Sequence, residues 1–279
     1  MTSLAQALGH NNDDRLLILS ADLMGSTHAA TAAGLSALRD GCATTATLMM
    51  TGPWARHAAD HLANADDLDV GIHLTLNAEL ESFRWAPLTH APSLLDGDGG
   101  FPRTPEDLWD HADIDEVRRE CRAQVERAIS WGVEPTHLTT HLLAMQQRPE
   151  FFDVLLDIAV EVELPIRLES GDAETTAGFP FRRLATEEGV SIPDHFRLVR
   201  GGTRAHLEAV LADLAPGVTE VAFAPALAAE EIRAIDPSAA GRFDDLAVLT
   251  DRELHARLEG LGVTLIGYRA LRDAQRAAL

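Results

Sequence analysis

Short apolar runs with β-forming character alternate along the chain with longer stretches in which apolar residues recur at helical spacing. The run Leu16-Leu17-Ile18-Leu19-Ser20 reads as a buried strand, because four successive aliphatic residues leave no polar face for solvent. Helical spacing follows over 29–38, and Gly41 stands just past it where a cap belongs. A second strand is predicted over 45–50, a helix over 54–63, a third strand over 69–76, and a charged amphipathic helix over 113–131 ending near Gly132. Short strands are expected at 136–140, 165–168, 219–223 and 263–267, with helices between most of them. Alternation of this kind builds an α/β fold with a mostly parallel sheet, closed or nearly closed into a barrel.

Two stretches break the rhythm. Residues 78–112 hold Pro87, Pro92, Pro102, Pro105 and the run Asp96-Gly97-Asp98-Gly99-Gly100, a loop too long to be a plain connection. Its aromatic residues Phe83, Trp85, Phe101 and Trp109 argue against disorder, and it is expected to fold over the carboxyl ends of the strands. A second insertion is expected at 170–200. No repeat or linker divides the chain, so 1–279 reads as a single domain.

Composition narrows the partners. A net charge of −21 repels phosphate backbones and anionic headgroups, which excludes nucleic acid and membrane surfaces and favours a neutral or cationic small substrate. All 23 basic residues are arginine, so lysine Schiff-base and P-loop chemistry are excluded. No stretch approaches the length of a membrane span, and residues 1–15 lack the pattern of a signal peptide. With Cys42 and Cys121 too few for a disulfide framework, the cytoplasm is the expected compartment.

In a parallel barrel the chemistry gathers at the carboxyl ends of the strands, and here those ends carry Asp22, His73 and His141. Two histidines and a carboxylate are the ligand types of a hydrolytic metal site, although their wide separation in sequence makes the spacing weak on its own. The blocks around them say more. Ser20-Ala21-Asp22-Leu23-Met24-Gly25, Val70-Gly71-Ile72-His73-Leu74-Thr75-Leu76-Asn77 and Pro135-Thr136-His137-Leu138-Thr139-Thr140-His141 resemble the YdjC-like (ChbG/HpnK) carbohydrate deacetylases. The stretch Ser93-Leu94-Leu95-Asp96-Gly97-Asp98-Gly99-Gly100-Phe101, the segment Leu164-Pro165-Ile166-Arg167 and the ending Gly267-Tyr268-Arg269 fit the same family, in order. The resemblance implies an irregular (β/α) barrel of the NodB/YdjC deacetylase type. It also implies a hydrolase that removes acetyl groups from amino sugars with a divalent ion held by one Asp and two His.

Carried over residue by residue, the resemblance makes Asp22 the base and His73 and His141 the metal-binding histidines. The departures are equally specific. Leu23 stands where the family has its metal carboxylate, Thr139 and Thr140 stand where it has Asp-Ser, and Ala224-Pro225 replaces a His-Pro whose His is assigned as proton donor. Leucine cannot ligate, and two neutral imidazoles without a carboxylate hold a divalent ion poorly. No tightly bound cofactor is therefore expected, with zinc or magnesium the ion that the resemblance would supply.

Several further residues are candidates for the substrate site. His28 lies just beyond the first strand, where it either reaches the site or begins the next helix. Glu79 follows the His73 strand and either replaces the lost carboxylate or sits on the surface. Trp85 and His90 belong to the long loop, Arg167 is placed to pair with Asp22, and His137, at the start of its strand, reads as structural. Three functions follow. The favoured one is a divergent enzyme using Asp22, His73 and His141 for metal-independent acid/base chemistry on a sugar, polyol or similar metabolite. The others are a metal-dependent N-acetyl sugar deacetylase and a non-catalytic small-molecule binding protein.

Overall fold

Ten residues form the first and longest strand of the computed structural model, which describes residues 3–63, 65, 67–199 and 203–278. In chain order the strands are β1 (Arg15–Met24), β2 (Thr45–Leu48), β3 (Val70–Leu74), β4 (Leu138–Thr140), β5 (His195–Leu198), β6 (Gly217–Phe223) and β7 (Val263–Leu265). They lie in the order β4-β3-β2-β1-β6-β5, every pair parallel, as the alternating pattern predicted. β6 follows β1 from Arg15 to Ala21, while β7 pairs with β1 over Arg15–Leu17 and β2 over its far end. The aliphatic run Leu16 to Leu19 is fully buried because helices cover the sheet. The helices His28–Asp40, Ile114–Ser130 and Pro149–Glu161 are among them.

The sheet curls into a partial barrel. On the outer side of β4 the described residues add only the isolated bridge Leu138↔Ile166, so the predicted strand at 165–168 is not formed as a strand. Pro165 has no N–H to offer a ladder, and Arg167 turns its side chain into the interior. There its guanidinium spans from Asp22 on β1 to Glu220 on β6. β5 falls within the expected insertion 170–200, whose last residue lies outside the described residues. At this sheet edge only Phe196 of the four β5 residues is buried, so no apolar run marks it.

The long loop at 78–112 is held by polar staples. Glu120, buried on helix Ile114–Ser130, accepts from the backbone of Leu88 at 3.0 Å and Thr89 at 2.9 Å. Glu116 accepts from Ser93 N at 2.9 Å, and Trp85 Nε1 donates to the Asn77 carbonyl at 2.6 Å. Trp85 and Phe101 are buried, which explains why so irregular a segment is ordered. Cys42 and Cys121 are both buried and free.

Candidate active site

β1 ends in a kink that aims its side chains. Its register with β2 shifts between Ala21 and Met24, and within that bulge Leu23 sits at φ 73°, in the left-handed region that a branched apolar residue resists. Gly25 follows at φ 86°, where a Cβ would press on the Met49 carbonyl at 2.8 Å. Backbone held this way beside a pocket is characteristic of functional sites, and Asp or Asn adopts it more readily than Leu. The backbone at 23 is therefore in a conformation that would suit the carboxylate expected there from the family resemblance.

Asp22 is deeply tied in. Its Oδ1 accepts from Ser20 Oγ at 2.8 Å, Thr47 Oγ1 at 3.1 Å and Arg167 Nη2 at 3.0 Å, and its Oδ2 accepts from Arg167 Nη1 at 2.6 Å. Burial alone would raise the Asp22 carboxyl, but the charge and hydrogen bonds of Arg167 outweigh it and hold the group at about 2. The same guanidinium donates from Nε to Glu220 Oε1 at 2.8 Å, and Tyr268 OH donates to Glu220 Oε2 at 2.5 Å. His137 stacks on Tyr268 with ring centroids 3.7 Å apart, the structural place read for it. Asp22 therefore stays ionised and fixed, and every nitrogen of Arg167 is committed to the protein. Arg167 pairs with Asp22 and also lines the pocket in which it was expected to meet substrate.

The two site histidines form a chain of hydrogen bonds. His73 Nδ1 meets Thr139 Oγ1 at 2.7 Å, His73 Nε2 meets His141 Nδ1 at 3.1 Å, and His141 Nε2 meets Glu79 Oε2 at 2.8 Å. The carboxylate fixes the directions. Glu79 can only accept, so a neutral His141 carries its proton on Nε2 and accepts at Nδ1. His73 then donates from Nε2, and the Thr139 hydroxyl donates to its Nδ1. Burial, followed by the neighbouring His141, draws His73 down to about 3, so its imidazole is neutral. His141 and its neighbours hold Glu79 at about 2 against the upward push of burial.

This wiring bears on the metal. A ligating histidine needs its bare nitrogen toward the ion and its N–H toward an acceptor, often a carboxylate. A carboxylate at position 139 would hold the His73 proton on Nδ1, whereas the Thr139 hydroxyl can accept from that nitrogen or donate to it and so leaves the tautomer to the rest of the path. Glu79 bonds the far nitrogen of His141, so it orients that ring instead of replacing the missing ligand. Among the described residues no group of three or more His, Cys, Asp or Glu is arranged to hold an ion. As placed, His73 and His141 have no third His, Cys, Asp or Glu grouped with them among the described residues, where a catalytic divalent site takes three protein ligands.

These groups line one pocket of about 500 Å³ at the carboxyl ends of the strands, a volume suited to a sugar-sized ligand. Asp22, His73, Glu79, Trp85, His141 and Arg167 all reach it, and Phe83 joins them from the long loop. Two candidates do not. His28 opens helix His28–Asp40 behind its Thr27 cap and packs at a tilt against Trp54, ring centroids 4.9 Å apart, outside the pocket wall. His90 lies on the surface, its carbonyl accepting from Arg119 at 3.1 Å, because the loop turns toward helix Ile114–Ser130 before reaching it. The sequence reading also missed members. Arg242, Asp236 and Asp245 line the pocket from the segment after β6, and Glu220 and Tyr268 lie beneath it. A lone carboxylate within the apolar run of β6 was the available signal for Glu220.

Comparison with known proteins agrees with this architecture. A family model described as "YdjC-like protein" matches residues 16–260. A carbohydrate deacetylase from Geobacillus stearothermophilus is 34% identical over 256 residues, covering 91% of this chain and 97% of that one. Another from Vibrio campbellii is 29% identical, covering 94% and 98%. The crystal structure of a protein provisionally named for cellobiose-phosphate cleavage, from Enterococcus faecalis V583, superposes with a TM-score of 0.80 at 25% identity, covering 92% and 99%.

Proposed function

Because the chain belongs to the YdjC-like family, we propose that its pocket takes a neutral, sugar-sized, polyhydroxylated substrate and works on it by proton transfer through its own side chains. The relatives named as carbohydrate deacetylases supply the substrate class. The observation that carries the chemistry is the unbroken path Thr139–His73–His141–Glu79, in which each polar group has a hydrogen-bond partner.

His141, between His73 and the Glu79 carboxylate, is the group to which this reading assigns the transferred proton. As an imidazolium it donates from Nε2 to Glu79 and from Nδ1 to His73 Nε2, and His73 then donates from Nδ1 to the Thr139 oxygen. Proton uptake by His141 is matched by a shift of the His73 proton from Nε2 to Nδ1 and by rotation of the Thr139 hydroxyl from donor to acceptor. Asp22, fixed by Arg167, lends its negative charge to the histidines and is an electrostatic partner more than a base. Trp85, edge-on to His141 at 5.9 Å, and Phe83 give the apolar wall against which a sugar face packs.

One observation favours a second reading, a carbohydrate deacetylase acting through a weakly held divalent ion. His73 Nε2 and His141 Nδ1 face each other as two ligands of one ion would. A single experiment separates the two. The protein is incubated with N-acetylglucosamine, N,N′-diacetylchitobiose and open-chain polyols and followed by proton NMR, with chelator and with added zinc. Conversion at one rate in both conditions is the expected result. Acetate release that stops with chelator and returns with zinc selects the second reading, and saturable binding without conversion selects a binding protein.

A further inference from the structure

The helix Ala239–Leu249 presents Arg242 and Asp245, three residues apart and therefore on one face, to the backbone just beyond β6. Arg242 Nε donates to the Ala224 carbonyl at 2.9 Å, and Asp245 Oδ2 accepts from the Ala224 N–H at 2.9 Å. Arg242 Nη1 donates to Asp236 Oδ2 at 2.9 Å, and Asp236 Oδ1 takes Ser238 N at 2.7 Å and Ser238 Oγ at 2.6 Å. One donor is left over. Arg242 Nη2 is buried without an acceptor, on a side chain only 7% exposed that lines the pocket. Buried guanidinium nitrogens are nearly always bonded, so one left open in a cluster otherwise tied together marks a place where a ligand brings the acceptor.

We propose that Arg242 Nη2 binds an oxygen of the substrate, a hydroxyl or an acyl carbonyl, and forms a recognition subsite distinct from the imidazole path. The substrate class rests on the reading above. Charge decides which oxygen it is. Asp236 already balances Arg242, and Asp22, Glu79 and Asp245 face the same pocket in a chain of net charge −21. A phosphate or carboxylate meets that acidic lining, whereas a neutral oxygen needs only the open N–H. The imidazole that the family resemblance would place at 224 is an alanine methyl here, and the polar groups serving this strand end come from the helix behind it.

The test titrates wild type and Arg242→Lys calorimetrically with N,N′-diacetylchitobiose and with glucose 6-phosphate. Lysine keeps the charge but has one nitrogen, which Asp236 occupies. Wild type is expected to bind the disaccharide saturably and more tightly than the phosphate ester. Arg242→Lys is expected to weaken the disaccharide by about tenfold or more, the loss of roughly one charged hydrogen bond. Equal affinities, no binding of the disaccharide by wild type, or tighter binding of the phosphate ester would each overturn the proposal. Should the variant fail to fold, a crystal structure of wild type with the disaccharide decides. A sugar oxygen about 3 Å from Nη2 supports the subsite, and a seated sugar that leaves Nη2 without an acceptor contradicts it. Chelator-sensitive turnover would remove the proton-transfer reading and leave this contact standing, whereas a bound sugar indifferent to Arg242 would do the reverse.

Discussion

Replacing Arg167 by methionine is expected to remove about 3–5 kcal/mol of folding stability, among the largest losses any single substitution here should cause. The guanidinium is 3% exposed and lies between two buried carboxylates, bonded to both oxygens of Asp22 and to Oε1 of Glu220. Methionine fills much of the volume but leaves two like charges facing each other without a cation. The variant folds at neutral pH only by taking protons onto those carboxylates, which are ionised in the unfolded chain. Its folded state therefore binds more protons than its unfolded state, and its stability falls as pH rises. In wild type the Asp22 contribution has the opposite sign. That group lies at about 2 in the folded chain against 3.8 ordinarily, so its stabilisation is complete above 3.8 and is lost as pH falls toward 2. Urea melts of both proteins between about pH 7 and pH 4 should show the gap narrowing with acid. A gap that is small or independent of pH would mean that the two carboxylates are not held by Arg167.

His141→Gln is expected to lower turnover on the order of a hundred- to ten-thousand-fold while leaving the fold intact. Glutamine retains a donor and an acceptor but cannot carry the additional proton, so the path from Thr139 to Glu79 loses the imidazole to which the transfer is assigned. Glu79→Gln should cost less, because a neutral acceptor still orients the His141 ring without stabilising the imidazolium. The measurement is the rate on whichever neutral sugar wild type converts, with circular dichroism as the check on folding. A His141→Gln protein that keeps its rate would place the proton transfer elsewhere, Asp22 being the remaining candidate in the pocket.

The sequence carried the parallel sheet and the strand-end chemistry for the same reason. Buried parallel strands are apolar throughout, so the polar residues that close them, Asp22, His73 and His141, stand out against the run. Trp85 was legible as a loop anchor because an aromatic residue in a proline- and glycine-rich segment needs a place to be buried. The wall after β6 was not legible. Arg242 and Asp245 look like solvated helix charges until the helix is docked against the strand end, and nothing local says that it docks there. His28 and His90 failed in the opposite sense. Each is close in sequence to the site, but a helix start and a loop turn direct them away from it. The contact of Thr139 with His73 was hidden too, since two strands 66 residues apart in sequence bring them together.

The most direct test of the account is metal stoichiometry, by elemental analysis of protein purified without chelator and by zinc titration of wild type and Leu23→Asp. With Leu23 where the family resemblance expects a ligand carboxylate, and no third ligand beside His73 and His141 among the described residues, wild type should carry well under one divalent ion per chain. Leu23→Asp restores a carboxylate on a backbone already at φ 73° and should tighten zinc by at least the ~10–100-fold that even an outer-shell partner is worth. One tightly held ion per wild-type chain, removed by chelator together with activity, would contradict the account and return the pocket to metal-dependent deacetylation.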